Sequence, residues 1–479
     1  MEFILVLLAP LIAAFISFIA RTKRSLIIEI VTVCATVFEL SIALLFSWRV
    51  ANDGTITQAS LLTLDSLGAL CICVVALIGC VVAIYSVGYL REEMKRGIIG
   101  MRRIRQFYIF FHLLLFSMFA AILTTHPIFI WIAIEATTLS TVFLISFYGK
   151  PQSVEAAWKF FIINSVALLF GFFGTLLFLA TPAVFEGTWF FAKGAVVDPM
   201  LLKIAFLLVF IGYGTKTGFA PLHTWLPDAH GMAPAPISSM LSATLLNVSF
   251  FALLRFKALI DPVIGAGFSQ TLFLVFGTAS IIVAALLIFC QHNYKRLLAY
   301  SSIEHMGIMA LGFGAGGAGI GAALLHMIYH ALTKSLLFLS SGNMLLKYGT
   351  AKIVAIKGMG AVLPLTSVLF FAGLLSIMAM PPFGMFFTEF SILSVLIFSH
   401  PGIAGLTISA LAFIFIGVMK HFSSMMSGVP PGHVPCGEKN GFTTIPLFAL
   451  VLMLAVLSVG IPPVLQVLLS RASELFLSL

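Results

Sequence analysis

The chain has 479 residues, of which 61% are hydrophobic and only 9% charged, and its formal charge is +9. A soluble domain carries roughly 45–50% apolar and about 25% charged residues, so this composition excludes an ordinary soluble enzyme and points to a single polytopic membrane domain. The positive charge does not point to nucleic acid, because the basic residues sit in short loops between apolar runs, where membrane orientation accounts for them.

Apolar runs between charged or Pro/Gly-rich breaks predict an all-α fold of fourteen transmembrane helices. In chain order they cover about 3–20, 26–48, 64–89, 106–125, 128–147, 155–181, 200–220, 235–258, 271–290, 295–313, 318–346, 362–398, 402–424 and 444–470. Each is close to or above the roughly 20 residues that cross a hydrocarbon core about 30 Å thick. The first run lacks a basic start, and its Arg21, Lys23 and Arg24 follow the apolar stretch, so it reads as a retained helix rather than a cleaved signal.

Basic residues test this division, since a wrong helix count would scramble their asymmetry. Loops after odd-numbered helices hold eighteen Lys and Arg, among them Arg91, Arg96, Lys150, Lys295, Arg296, Lys347 and Lys439. Loops after even-numbered helices hold five: Arg49, Lys193, Lys203, Arg255 and Lys257. The positive-inside rule then places the odd loops in the cytoplasm of a bacterial or archaeal cell and both termini outside. With Arg471 in the outer tail, this count leaves Lys216 and Lys334 of the 26 basic residues, and both lie inside predicted spans.

Two predicted helices are interrupted in comparable ways. Helix seven runs into Gly218, Pro221 and Pro227, and helix twelve carries Pro381, Pro382 and Gly384 in its middle. Such breaks free backbone groups that must be satisfied by protein or a watery cavity, and a matched pair points to inverted repeats with a pathway at the breaks. The expected organisation is helices 1–3 over 1–105, a first repeat of helices 4–8 over 106–258, a second of helices 9–13 over 259–424, and a C-terminal loop and helix over 425–479.

An ionisable side chain at bilayer depth costs at least about 2.5–3.5 kcal/mol on insertion scales, so several in one chain call for a reason. Glu135 in helix five and Lys216 just before the helix-seven break suggest an interior acid–base pair, either a structural ion pair or a step in ion movement. His326, His330 and Lys334 repeat at every fourth position and share one stripe of helix eleven, and histidine both accepts and releases protons near neutrality. Glu304 and His305 are adjacent in helix ten and point about 100° apart, so only one need face the path. Glu389 follows the helix-twelve break as a terminal acid. His223, Asp228 and His230 follow the helix-seven break close to a face, as a solvated turn or part of the path, while Glu29 and Glu39 do not share a helix face and read as packing or partner contacts.

No cofactor or metal is expected. The six cysteines lack a zinc or iron–sulfur spacing and five lie in apolar segments as small packing residues; the loop pair His433 and Cys436 supplies too few ligands. The segment HMIYH lacks the glutamate of a metalloprotease, and no dinucleotide fingerprint occurs. Redox chemistry therefore belongs elsewhere, and this chain reads as a non-catalytic, ion-translocating subunit.

The runs KTGFAPLHTWLPDAHGMAPAPIS (216–238), YKRLLAYSSIEHMG (294–307) and HMIYHALTKSLLFL (326–339) resemble the antiporter-like proton-pumping subunits shared by respiratory complex I, Mrp-type cation/proton antiporters and membrane-bound hydrogenases. The form SSIEHMG looks most like the F-type subunit of formate hydrogenlyase or another group 4 hydrogenase. The resemblance implies a Glu135–Lys216 pair, a central relay of Lys334 and its histidines, an exit at Glu389, and partners comprising other membrane subunits and a soluble redox arm. The transported ion is then H+, with Na+ exchange or coupling to inorganic-carbon uptake as alternative settings. One departure stands out, since Asn247 occupies a helix-eight position where complex I relatives often carry lysine. Because the chain ends at Leu479, directly after helix fourteen, the reading points away from the longest, distal complex I subunit.

Overall fold

A computed structural model describes residues 2–20, 25–58, 61–186, 188–191, 196–432, 434–438 and 440–477. Arg21, Lys23, Arg24, Lys193, His433 and Lys439 lie outside these residues. The chain runs α1 (Glu2–Ile19), α2 (Leu26–Asp53), β1 (Ile56–Gln58), β2 (Leu62–Leu64), α3 (Ser66–Lys95), α4 (Met101–Leu123), α5 (Pro127–Ile145) and α6 (Pro151–Leu179). It continues with β3 (Ala183–Glu186), β4 (Thr188–Phe191), α7 (Pro199–Thr217), α8 (Trp225–Met232), α9 (Ala235–Met240), a π-helical turn over Leu241–Leu245, α10 (Leu246–Ile264), α11 (Gly267–Ile288) and α12 (Tyr294–Ala315). The last elements are α13 (Ala318–Tyr348), a 3-10 turn, α14 (Met359–Val362), α15 (Pro364–Ile377), α16 (Gly384–Ser399), α17 (Pro401–Met426), α18 (Gly441–Val459) and α19 (Pro463–Leu477).

Among the described residues, 11 helices are long and apolar enough to cross a membrane, counting Ala235–Ile264 as one. The shorter α1, the more polar α12 and the broken α15–α16 pair supply the other three of the fourteen expected spans. The molecule is an integral, multi-pass membrane protein. Its apolar side chains are sorted accordingly: Phe15, Phe18, Trp158, Phe173 and Phe390 face outward although they are large and hydrophobic, as lipid-facing residues do. Inside, helices approach through glycine. A Cβ on Gly212 would lie 2.6 Å from the Gly171 Cα, and one on Gly307 would lie 2.8 Å from the Gly277 carbonyl, the small-residue contact typical of membrane helices.

Both breaks fall where the prolines and glycines place them, and protein groups satisfy the freed backbone. Gly218 closes α7 at φ 91, the left-handed conformation that glycine adopts without Cβ strain. The Trp225 Nε1–H donates to the Thr215 carbonyl at 3.0 Å, and the Ser280 hydroxyl accepts from the Ala220 N–H at 2.9 Å. At the second break the Ser458 hydroxyl accepts from the Gly384 N–H at 2.8 Å. Pro227 is a correction: it lies inside α8 and does not interrupt a helix, because a proline in a first turn removes no intrahelical donor.

Three further features differ from expectation. Two short antiparallel hairpins, β1–β2 and β3–β4, occupy the loops after α2 and α6. The fourteenth predicted helix is two helices, parted at Gly460–Pro462. The second of them, α19, lies over the ends of its neighbours: Arg471 donates to the Val50 carbonyl at 2.8 Å near the end of α2, and Phe476 packs on Phe313 near the end of α12. Phe3 donates its N–H to Gln58 in the β1–β2 hairpin. Both described ends of the chain therefore sit at the face opposite Arg91, Arg96, Lys150 and Lys347. Finally, Cys34 on α2 and Cys290 in the turn after α11 are exposed and are not packing residues, whereas Cys71 and Cys80 are buried.

Candidate functional site

Most of the buried ionisable groups expected from the sequence gather in two clusters. The first joins α5, α6 and α7. Lys216 is fully buried, and its ammonium donates to the Ile134 carbonyl at 3.2 Å and to the Thr138 hydroxyl. Glu135 is close enough to act electrostatically on Lys216, yet its carboxylate receives the Ser165 hydroxyl at 2.7 Å and makes no ion pair with the lysine. The expected direct pair is thus a charged neighbourhood, since successive residues of α5 point in different directions and Glu135 turns toward α6.

The second cluster joins α12, α13 and α16. Lys334 donates to the Leu298 carbonyl at 2.9 Å and to the Ser301 hydroxyl, with Glu304 within electrostatic reach. His305 Nδ1 lies 3.0 Å from His326 Nε2 and 3.6 Å from Glu389 Oε1. His326 Nδ1 lies 2.9 Å from the Thr388 hydroxyl. The rings of His305 and His330 stand 5.7 Å apart, and both His330 nitrogens are buried with no hydrogen-bond partner. Glu304 and His305 both belong to the cluster. They point in different directions, yet both are buried, because α12 is buried on every side over Tyr300–Gly314.

The two clusters are linked by the span that starts at α9, runs through the π turn and ends in α10; its apolar window is completely enclosed and it touches both α7 and α13. Ser239 donates to Ser335 at 3.0 Å, and Ser242 meets Ser302 at 2.7 Å. Asn247 donates to the Ala243 carbonyl at 2.8 Å, while its own Oδ1 is buried and unpartnered.

Residues after the helix-seven break are not a solvated turn. His230 is fully buried in α8 and stacks on Phe338 at 4.8 Å, and His223 is nearly buried beside Tyr300. Of the three residues expected there, only Asp228 stays partly exposed, held by Arg296 and, at 3.5 Å, by Lys159.

Sequence reasoning missed a third group at the basic face. Lys295 is buried and donates to the Ala233 carbonyl. Glu93, also buried, accepts from the Tyr148 hydroxyl at 2.6 Å and lies within reach of Lys295, and Tyr89 meets Tyr148 at 3.0 Å. His230 is within electrostatic reach of both Lys295 and Lys334, so this group connects to the second cluster. Lys257 is likewise buried, paired with Asp261 and donating to Ser269 at 2.8 Å, so it is no loop residue. Glu29 and Glu39 are both buried against neighbouring helices; Glu29 accepts from Arg91 at 3.1 Å, and Glu39 has no hydrogen-bond partner among the described residues.

Residues 124–415 match the family model described as NADH:quinone oxidoreductase/Mrp antiporter, TM, which covers more than half of the chain. The chain belongs to this family. It is an antiporter-like membrane subunit, and residues 54–97 also match the model of the complex I chain 5 N-terminus. Its similarity to a hydrogenase-4 component F homolog of Methylacidiphilum infernorum is 36% identity over 419 residues, covering 84% of this chain and 86% of that one. An NAD(P)H-quinone oxidoreductase chain 4 of Thermosynechococcus vestitus is 34% identical over 60% of this chain and 54% of its own length. The antiporter-like subunit also superimposes on a chain of an archaeal membrane-bound sulfane sulfur reductase and on one of the Mrp complex of Dietzia sp., each with a TM-score of 0.84, at 21% and 19% identity. Both superpositions cover 99% of this chain and 97% of the other. At these identities they establish the fold.

Proposed function

We propose that this subunit carries protons across a bacterial or archaeal cell membrane within a redox-driven complex of the group 4 hydrogenase or formate hydrogenlyase type. The observation that carries the reading is the buried contact of His305, His326 and Glu389 beside Lys334 and Glu304. The hydrogenase-4 name of a relative that spans most of both chains supports the setting. In that setting its partners are other membrane subunits and a soluble redox arm, with the basic loops in the cytoplasm and both termini outside.

The route begins at Glu93 and Lys295 on the basic face, continues through His230 to Lys334 and Glu304, and leaves by His330, His305, His326 and Glu389 at the helix-twelve break. Each imidazole takes a proton on one nitrogen and releases one from the other. His223 lies at the edge of this route. Glu135 and Lys216 act as the coupling pair, and helices 4–8 and 9–13 as inverted repeats that each hold one cluster. A charge change in an adjoining subunit shifts the Lys216 ammonium between its carbonyl and hydroxyl acceptors and the Glu135 carboxylate, to which it can pass a proton. Moving one charge against 100 mV takes about 2.3 kcal/mol, roughly a fifty-fold change in an equilibrium constant.

The test is pumping by the intact complex in sealed vesicles. Glu135→Gln, Lys216→Ala and Lys334→Ala complexes are expected to lose proton translocation; wild-type pumping by all three would overturn the reading. A second reading, Na+/H+ exchange of the Mrp type, draws on the shared fold, and a sodium requirement for transport would favour it.

A further inference from the structure

The contact between His305 and His326 contains more than a relay needs. The Thr388 hydroxyl donates to the Met385 carbonyl at 2.9 Å, so toward His326 it acts as the acceptor of the Nδ1–H at 2.9 Å. That contact fixes the tautomer of His326 and leaves its Nε2 lone pair aimed at His305 Nδ1, 3.0 Å away. Glu389 Oε1 lies 3.6 Å from the same His305 nitrogen and has no hydrogen-bond partner of its own. Three potential ligand atoms from three helices therefore converge within 4.8 Å of one another, all buried, and His305 Nδ1 becomes a ligand once its proton moves to Nε2.

We propose that His305, His326 and Glu389 form a binding site for a zinc ion that blocks the subunit. Tetrahedral zinc with bonds of about 2.0–2.1 Å holds its ligand atoms roughly 3.3 Å apart; the two separations from His305 Nδ1, 3.0 and 3.6 Å, bracket that value, and all three atoms lie within 4.8 Å of one another. Two imidazoles and one carboxylate leave a fourth position for water, a donor set suited to zinc and not to the oxygen-seeking Mg2+ or Ca2+. Thr388 supplies the outer hydrogen bond that orients a metal-bound histidine. Lys334 stands within electrostatic reach of His305, and Glu304 within reach of Lys334. The ion displaces the proton between the histidines and ties α16, the far half of the broken helix, to α12 and α13. Binding rests on the geometry alone; the blocking effect rests on the proton route proposed above.

The experiment uses the purified complex, titrated with Zn2+ and, for its visible spectrum, with Co2+. We expect one site per copy of this chain, a tetrahedral cobalt band, and nitrogen and oxygen ligands alone by X-ray absorption. His326→Gln abolishes the site, Thr388→Ala weakens it by about 10–100-fold, and Lys216→Ala, remote from it, leaves it intact and serves as the control for a folded complex. No saturable binding, sulfur ligands, or binding unchanged in both His326→Gln and Thr388→Ala would overturn the site. Stoichiometric zinc with pumping unaltered would retain the site and overturn its place on the proton route.

Discussion

Lys216 and Lys334 are held in the same manner: each ammonium donates to one backbone carbonyl and one hydroxyl of the helix that carries the neighbouring glutamate. For Lys216 these are Ile134 and Thr138 on the helix of Glu135, and for Lys334 they are Leu298 and Ser301 on the helix of Glu304. A buried ammonium with neutral acceptors is stabilised without being locked to a counter-ion, which leaves the proton free to move. A hydrogen bond to a charged group contributes about 1.5–3 kcal/mol. Thr138→Val and Ser301→Ala are therefore expected to reduce coupled proton pumping about tenfold or more, while Thr138→Ser retains it. Equal pumping by Thr138→Val and wild-type complexes would show the hydroxyl to be incidental.

The group at the basic face makes a separate prediction. Lys295→Ala and Glu93→Gln should slow proton uptake in vesicles by roughly tenfold, equivalent to about 1.4 kcal/mol. Tyr148→Phe, which removes one hydrogen bond of 2.6 Å to Glu93, should have the smaller effect. An order of effects in which Tyr148→Phe exceeds Glu93→Gln would contradict the role given to the carboxylate.

At the second break, Gly384 faces the ring of Tyr329. A Cβ there would lie 2.0 Å from Tyr329 Cζ, while the Tyr329 hydroxyl is held by the Leu457 carbonyl at 2.8 Å. Overpacking of this kind costs about 1–3 kcal/mol, so Gly384→Ala should lower the unfolding midpoint of the detergent-solubilised protein. Tyr329→Leu in the same chain should recover most of the loss; no recovery would place the strain elsewhere.

Asp65 and Arg255 offer a stability test remote from the pathway. Arg255 donates to Asp65 with both terminal nitrogens, one at 2.7 Å, and Asp65 also caps α3 by accepting from the Gly68 N–H at 2.9 Å. Removing one partner of a buried pair costs about 3–5 kcal/mol. Arg255→Met should thus be strongly destabilising in thermal unfolding, and Asp65→Asn with Arg255→Met together less than additive, because the uncompensated carboxylate is gone.

The spans and breaks were legible because hydropathy, proline and glycine act locally, and so were Lys216, Lys334 and Glu389, which interrupt apolar runs. Lys257, Lys295 and Glu93 were not, since a charge one or two turns from a helix end looks like loop until its neighbours are seen to bury it. The parting of α18 from α19 was hidden inside a continuous apolar stretch, with Gly460, Pro462 and Pro463 to mark it. His305 belongs to the second cluster for a reason that helix periodicity does not contain: α12 is surrounded by protein, so every direction on it is inward.

The π turn over Leu241–Leu245 has a consequence for the chain's tolerance of length change. A π turn holds one residue more than an α turn. Loss of one residue there converts it to regular helix and leaves Asn247, Arg255 and Lys257 facing as before. The same deletion in the regular helix before the π turn would swing those three side chains by about 100° relative to the start of the span, and one after it would swing whatever follows. In a segment where neither face has room to spare, this is the position where a one-residue deletion does least harm, and a scan of single deletions from 235 to 264 should show its minimum of damage there.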